Sequence, residues 1–228
     1  MICGSIRLGK QTVPYSFLYH VTAMTEFQRN TNEVWERSYE GVERPSILLH
    51  SCCAPCSSHV IELLCDRFEL TIFYYNPNIY PDKEYAKRKS EQIRLIREFN
   101  KIGRNVNFIS TDYDPAVFEN VSKGFENEKE GGNRCLECYR FRLKKTAEEA
   151  KRNGYDFFAT TLTVSPHKNA EAINRIGKEI ERETHTKYLV ADFKKKNGYQ
   201  RSIEISKEYD LYRQTYCGCV FSMQRLSK

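Results

Sequence analysis

The 228-residue chain is expected to be an α/β protein with a Rossmann-like, doubly wound and mostly parallel sheet flanked by helices. Three observations predict this fold. From Ser46 onward, short β-branched and aromatic runs alternate with stretches of helical periodicity, the pattern of parallel βαβ units. Three chemistry-bearing segments, Cys52-Cys53, Asn76-Pro77-Asn78 and Ser165-Pro166-His167, each follow an expected strand. Sites in such sheets form beyond the carboxyl ends of the strands, so the three should converge on one edge. Finally, 40% hydrophobic and 29% charged residues describe a chain able to bury a core without disulfide staples.

The elements follow in order. Ile47-Leu48-Leu49 is a first strand, leading through a turn into a helix over Val60–Leu64. Leu70–Tyr75 is a second strand, rich in β-branched and aromatic residues. Residues 82–102 form a long helix with Ile93 and Ile96 at helical spacing. Val106–Ile109 is a third strand, and Gly131-Gly132 precedes a helix near 136–153. Asp156–Leu162 is a fourth strand, followed by a helix from Pro166, with Ser165 as its N-cap. Tyr188-Leu189-Val190 is a fifth. Residues 1–44 stand apart as an N-terminal extension, with a polar surface helix expected at 25–40, and residues 45–228 form the functional domain.

Composition narrows the class. No run approaches the roughly 20 apolar residues needed to cross a bilayer, so no membrane partner is expected. The first 25 residues hold Arg7, Lys10 and Thr12 and no continuous apolar stretch, which argues against a secretory signal and for the cytoplasm. The net charge of +6 and the run Lys194-Lys195-Lys196 suit a phosphate-rich partner.

Nine cysteines in a reducing compartment point to metal ligands or catalytic thiols rather than structural bridges. Seven fall in tight groups: Cys52, Cys53 and Cys56; Cys135 and Cys138; Cys217 and Cys219. Adjacent Cys52 and Cys53 rarely bridge each other, because the ring strains the peptide. They serve either two metals, or one metal and one reactive thiolate favoured by the following helix dipole; two packed thiols are the plain alternative. The CxxC of Cys135 and Cys138 grips one metal centre or forms a thioredoxin-like redox pair. With Cys52 and Cys53 it completes four thiolates, a set suited to a [4Fe–4S] cluster or to zinc. Cys56 is either a fifth ligand or, slightly favoured, a helix residue facing the core. A disulfide within Cys217-Gly218-Cys219 would close a short, strained and readily reduced ring. The pair therefore suits cycling between dithiol and disulfide.

No GxGxxG and no Walker A loop occur, so neither a nicotinamide or flavin site of the usual kind nor a P-loop nucleotide site is indicated. Reducing power would come from metal and thiols, fed by an external electron donor. Around the cysteines, His167 and Lys168 follow the fourth strand, Arg134, Tyr139, Arg140 and Arg142 flank the CxxC, and Tyr212-Arg213-Gln214 leads into Cys217. Rings beside cations are what a splayed-out base in an RNA loop requires. His167 and Asp112 are the candidate proton donors.

Six ordered segments carry a resemblance. They are Leu49–Ser57, Tyr74–Pro81, Arg134–Tyr139, Thr160–Asn169, Asp192–Tyr199 and Tyr212–Cys219. Together they resemble the QueH family of epoxyqueuosine reductases over about residues 45–222. The resemblance implies reduction of epoxyqueuosine to queuosine at the wobble position of a tRNA anticodon, the last step of queuosine biosynthesis. It implies a [4Fe–4S] cluster on Cys52, Cys53, Cys135 and Cys138 and a redox-active disulfide between Cys217 and Cys219. An acidic residue stands in some members where this chain has Cys56, which makes Cys56 a candidate auxiliary ligand, and an additional mononuclear iron beside the cluster is compatible with the family. The competing readings are a zinc-dependent tRNA-modifying or nucleotide-binding protein, a tRNA-binding module whose cluster only supports folding, and a general thiol–disulfide oxidoreductase.

Overall fold

The computed structural model describes residues 5–8, 11–14 and 43–224. The chain divides into two compact units, Met1–Ser38 and Tyr39–Lys228. In the first, β1 (Ser5–Leu8) and β2 (Gln11–Pro14) pair antiparallel, Ser5 opposite Pro14 and Leu8 opposite Gln11. The helix expected at 25–40 lies outside the described residues, as does Cys3.

The second unit carries β3 (Ser46–His50), α1 (Ala54–Leu64), β4 (Glu69–Tyr74), α2 (Asp82–Lys101) and β5 (Asn107–Ser110). It continues with α3 (Pro115–Ser122), α4 (Asn133–Arg152), β6 (Phe157–Thr160) and a 3-10 turn at Thr161–Val164. Then follow α5 (Ala170–Thr184), β7 (Lys187–Tyr188), α6 (Gly198–Glu208) and α7 (Val220–Gln224). The sheet order is β5-β4-β3-β6-β7, parallel throughout. The winding runs outward from β3 in one direction through β4 and β5, then restarts beside β3 with β6. The crevice between the carboxyl ends of β3 and β6 is therefore the topological switch point, where such sheets bind ligands.

Local sequence explains the layering. Ile47, Leu48 and Leu49 of central β3 are fully buried, the continuous apolar run of a strand covered on both faces. α4 packs on α5, and α1 on α6. Pro55 sits in the first turn of α1, where its missing N–H costs nothing.

The chain departs from the sequence expectations in three places. β6 stops at Thr160, because its hydroxyl accepts from the Leu162 backbone N–H at 3.2 Å and turns the chain into the 3-10 segment. α5 begins at Ala170 rather than Pro166, capped by Asn169, whose Oδ1 accepts from Ala172 N–H at 3.1 Å. Ser165 instead closes a turn, its hydroxyl accepting from His167 N–H at 3.3 Å. β7 is only two residues long, Leu189 and Val190 lying beyond it.

Candidate metal and redox site

The site begins where β3 ends. Cys52 and Cys53 fill the short link to α1, and Cys56 lies in the first turn of that helix. The Cys52 and Cys53 sulfurs are 3.8 Å apart, and all three thiols lie within 4.8 Å of one another. Their titrations are pushed in opposite directions. Hydrogen bonds from the Cys53 and Cys56 thiols hold Cys52 well below the ordinary thiol range. Cys53 is pushed up to about 12, chiefly by its bond to Cys52, and Cys56 is raised for the same reason. Three converging thiols suit a thiophilic cation, which would displace their protons and offset the repulsion between the resulting thiolates.

The loop is held from beneath. Gln92 Oε1 accepts from the Ser51 hydroxyl at 2.7 Å and from the Ser57 hydroxyl at 2.8 Å. Asn76, at the end of β4, donates to the Ser51 carbonyl at 2.7 Å. Buried His50 is neutral, its pKa lowered to about 3 by burial and then by Arg142. Its Nδ1 lies 3.0 Å from the Thr160 hydroxyl and its Nε2 lies 3.2 Å from the Tyr75 carbonyl. With Nε2 donating to that carbonyl, the Thr160 hydroxyl donates to Nδ1. One imidazole thus ties together the carboxyl ends of β3, β4 and β6.

Four further cysteines form a second group. α4 starts at Asn133, which puts Cys135 and Cys138 in its first two turns. Cys138 packs with Phe118 and Cys219 in one buried cluster. Burial, then the neighbouring Cys217, Cys219 and Cys135, push the Cys138 thiol up to about 12. Cys135 sulfur accepts from Gly131 N–H at 3.2 Å. Cys217 and Cys219 are free thiols, as are the other described cysteines. Cys135 and Cys138 stand outside the triad of Cys52, Cys53 and Cys56; their thiol neighbours are Cys217 and Cys219.

The Cys217-Gly218-Cys219 segment is clamped by α2. Buried Arg88 donates to the carbonyls of Cys217 at 3.1 Å and Tyr216 at 3.3 Å, and its Nε meets Glu84 at 2.6 Å. Gly218 adopts φ +125°, and a Cβ there would come within 3.0 Å of Arg88 Nη1 and 3.1 Å of Ile79. The two cysteine groups meet at a cleft of about 580 Å³ lined by Cys52, Cys56, His167, Lys168, Gln214 and Cys217, among others.

The family model for "Epoxyqueuosine reductase QueH" matches residues 47–225. The chain belongs to the QueH family. The protein from Streptococcus pyogenes serotype M1 named "Epoxyqueuosine reductase QueH" is 48% identical over 191 residues, covering 83% of this chain and 74% of that one. A protein of the same name from Thermotoga maritima is 39% identical over 181 residues, covering 78% of this chain and 90% of that one. Among solved structures, the U34-tRNA thiolase NcsA from Methanococcus maripaludis with its [4Fe-4S] cluster superposes with a TM-score of 0.50. At 12% identity, over 87% of this chain and 70% of that one, the likeness is one of fold.

Within this QueH-family chain the structure distributes the anticipated residues clearly. Cys52, Cys56, Cys217 and His167 face the cleft, with His167 exposed on its rim. Cys53 lies buried beneath Gln214, which donates to its sulfur at 2.9 Å. Cys56, slightly favoured from sequence as a core-facing residue, is instead half-exposed and joined to Cys52 and Cys53. Asp112 lies between β5 and α3 and is not among the residues lining the cleft.

Sequence reasoning missed the structural parts of Gln92 and Arg88 and treated Arg142 only as a neighbour of the CxxC. The signal was present. Tyr85, Arg88, Gln92, Leu95, Ile96 and Phe99 are the buried stripe of α2, so Arg88 and Gln92 occupy core-facing positions of an amphipathic helix. Arg142 falls likewise in the stripe Cys138, Tyr139, Arg142, Leu143, Thr146 of α4. A polar residue on an apolar stripe is a buried polar group in need of a partner.

Proposed function

We propose that this chain reduces epoxyqueuosine to queuosine at the wobble position of a tRNA anticodon. One observation carries the reading: the thiols of Cys52, Cys56 and Cys217 open onto one cleft at the switch point of a QueH-family sheet. The reaction removes the epoxide oxygen as water, consuming two electrons and two protons and leaving a cyclopentene. Cys52, Cys53, Cys135 and Cys138 would hold a [4Fe–4S] cluster, with Cys56 an auxiliary ligand, also available to a mononuclear iron. Bound there, iron and sulfide supply electron transfer and a Lewis-acidic centre.

The protein's own groups do the rest. Cys217 and Cys219 carry two electrons and two protons as a dithiol. Forming the Cys217–Cys219 disulfide releases both, which balances one epoxide reduced to alkene and water. An external donor then restores the dithiol. Arg88 holds the Cys217 carbonyl, so the thiol is presented from a fixed backbone. His167, exposed on the rim of the cleft, would donate a proton. Half-buried Lys168 faces Cys217, Cys52 and Cys56. The sulfurs around it outweigh its burial and hold its pKa above the ordinary lysine range, so it offers a counter-charge to an oxygen leaving the substrate.

The cleft also suits a nucleic-acid loop. Arg213, Tyr199 and Tyr216 line it with Lys168, placing cations for phosphate beside rings for stacking. Among the described residues, no helix is long and apolar enough to cross a membrane. A tRNA substrate suits an activity in the cytoplasm. The test is anaerobic turnover. Iron-reconstituted protein with dithionite should convert epoxyqueuosine-tRNA into a nucleoside lighter by one oxygen on mass spectrometry. Unchanged tRNA, with iron and sulfide bound at full stoichiometry, would remove the proposal.

A further inference from the structure

Arg142 is among the largest fully buried side chains of the protein, at 1% exposure. Its Nε donates to the Cys138 carbonyl at 3.0 Å, and its Nη1 reaches Asn76 Oδ1 at a long 3.4 Å. Its Nη2 is buried with no hydrogen-bond partner. Among the described residues no carboxylate lies within ion-pair distance of it. Arg88 makes the contrast: equally buried, it has Glu84 at 2.6 Å and two backbone carbonyls. A guanidinium taken from water is among the costliest things a core can hold unless each N–H finds an acceptor, and Nη2 has none.

The groups that face Arg142 are Cys138, Cys52, Cys217 and Tyr139. These belong to both cysteine groups, and Asn76, its one side-chain partner, also holds the Ser51 carbonyl next to Cys52. We propose that Arg142 is the positioning cation of the metal site, its free Nη2 donating to a sulfur of the anionic iron–sulfur centre that the two groups share. The inference rests on the iron–sulfur reading above and adds to it a residue that is not a ligand. Two consequences follow. A hydrogen bond and a positive charge at the sulfurs favour the reduced centre, raising its potential. The metal-free protein leaves Nη2 of a buried cation without an acceptor, so loading should stabilise it by more than the ligand bonds alone.

The test compares wild type with Arg142→Met and Arg142→Lys. Each protein is reconstituted anaerobically, assayed for iron and sulfide, and titrated potentiometrically through the visible band of the cluster. Thermal melts are recorded with and without metal. Arg142→Met should lower the midpoint, the oxidised-to-reduced ratio at fixed potential rising about tenfold, which is about 59 mV for a one-electron couple. Its metal-free form should melt at or above the wild-type metal-free protein and gain less on loading. Arg142→Lys, which keeps the charge and loses the planar fork, should shift the midpoint less. It decides the matter if the methionine variant does not fold. Midpoints equal to wild type in variants with full iron and sulfide would overturn the role of Arg142 alone. A wild-type protein that takes up no iron–sulfur under the same conditions would overturn both this inference and the reading beneath it.

Discussion

Gln214 donates from its side-chain amide to the Cys53 sulfur at 2.9 Å, across 161 residues of chain. The bond joins the segment that carries Cys217 to the thiols that follow β3. Gln214→Leu keeps the volume and removes the donor. It should leave the melting temperature within a few degrees of wild type, yet increase the rate at which a chelator strips iron from the loaded protein. Release followed at the visible band measures this.

Cys56 and Cys65 make an internal control. Cys56 is at the thiol triad, whereas Cys65 caps the far end of α1, bonded to the Glu62 carbonyl and Asp66. Cys56→Ser should lower bound iron measurably, and Cys65→Ser should leave both iron content and turnover at wild-type levels. Parallel metal analysis of the two variants checks the contrast.

Gly218 tests the clamp on the redox pair. An alanine there takes a strained φ of +125° and presses on Arg88 and Ile79, at a cost of roughly 1–3 kcal/mol. Cys217 and Cys219 would be displaced while the α/β core remains. Gly218→Ala should therefore cost turnover far more than stability, measured by single-turnover rate beside a denaturant midpoint.

Gly177 tests the packing of α5 on the sheet. A Cβ there would meet the Tyr188 ring at 2.3–2.5 Å, and that ring is fixed by its hydroxyl, which donates to Asn174 at 3.1 Å. Helix propensity alone would favour Ala by about 1 kcal/mol. Overpacking outweighs it, and Gly177→Ala should destabilise by about 1–3 kcal/mol in urea unfolding.

Glu62 supplies a pH-dependent tie between α1 and α6. Arg201 grips its carboxylate at 2.7 and 2.9 Å, and Arg104 adds a contact at 3.3 Å. The Arg201 bond holds its pKa below the ordinary 4.5. A carboxyl lowered on folding stabilises the protein above 4.5, and that contribution is lost as pH falls through the folded value. Glu62→Gln should cost on the order of 1 kcal/mol at pH 7, and the gap to wild type should narrow as pH falls below 4.5 through the lowered folded value. Melts across pH 3–7 show whether it does.

Much of this was legible in the sequence, and the parts that were not have separate physical causes. The central strands announced themselves because Ile47–Leu49 and Leu70–Tyr75 are unbroken apolar or β-branched runs. The convergence of Cys52, Asn76 and His167 followed from their places after strands. The strand expected through Leu162 ended early because the Thr160 side chain offered the backbone a different partner. The partition of the cysteines into two groups depended on where α4 sits beside the Cys217 segment, a tertiary fact that spacing does not carry. Arg88 and Arg142 were hidden for the opposite reason: their spacing marked them as core positions, while their chemistry suggested surface.

The most direct test is a single turnover with no reductant in solution. Protein loaded anaerobically with iron and sulfide is reduced, freed of reductant, and mixed with an equal amount of epoxyqueuosine-tRNA. Queuosine should form up to about one per protein, with Cys217 and Cys219 recovered as a disulfide in the same sample, and Cys217→Ser should yield no more than a trace. Queuosine formed equally well by metal-free protein, or by the Cys217→Ser variant at the wild-type yield, would contradict the account.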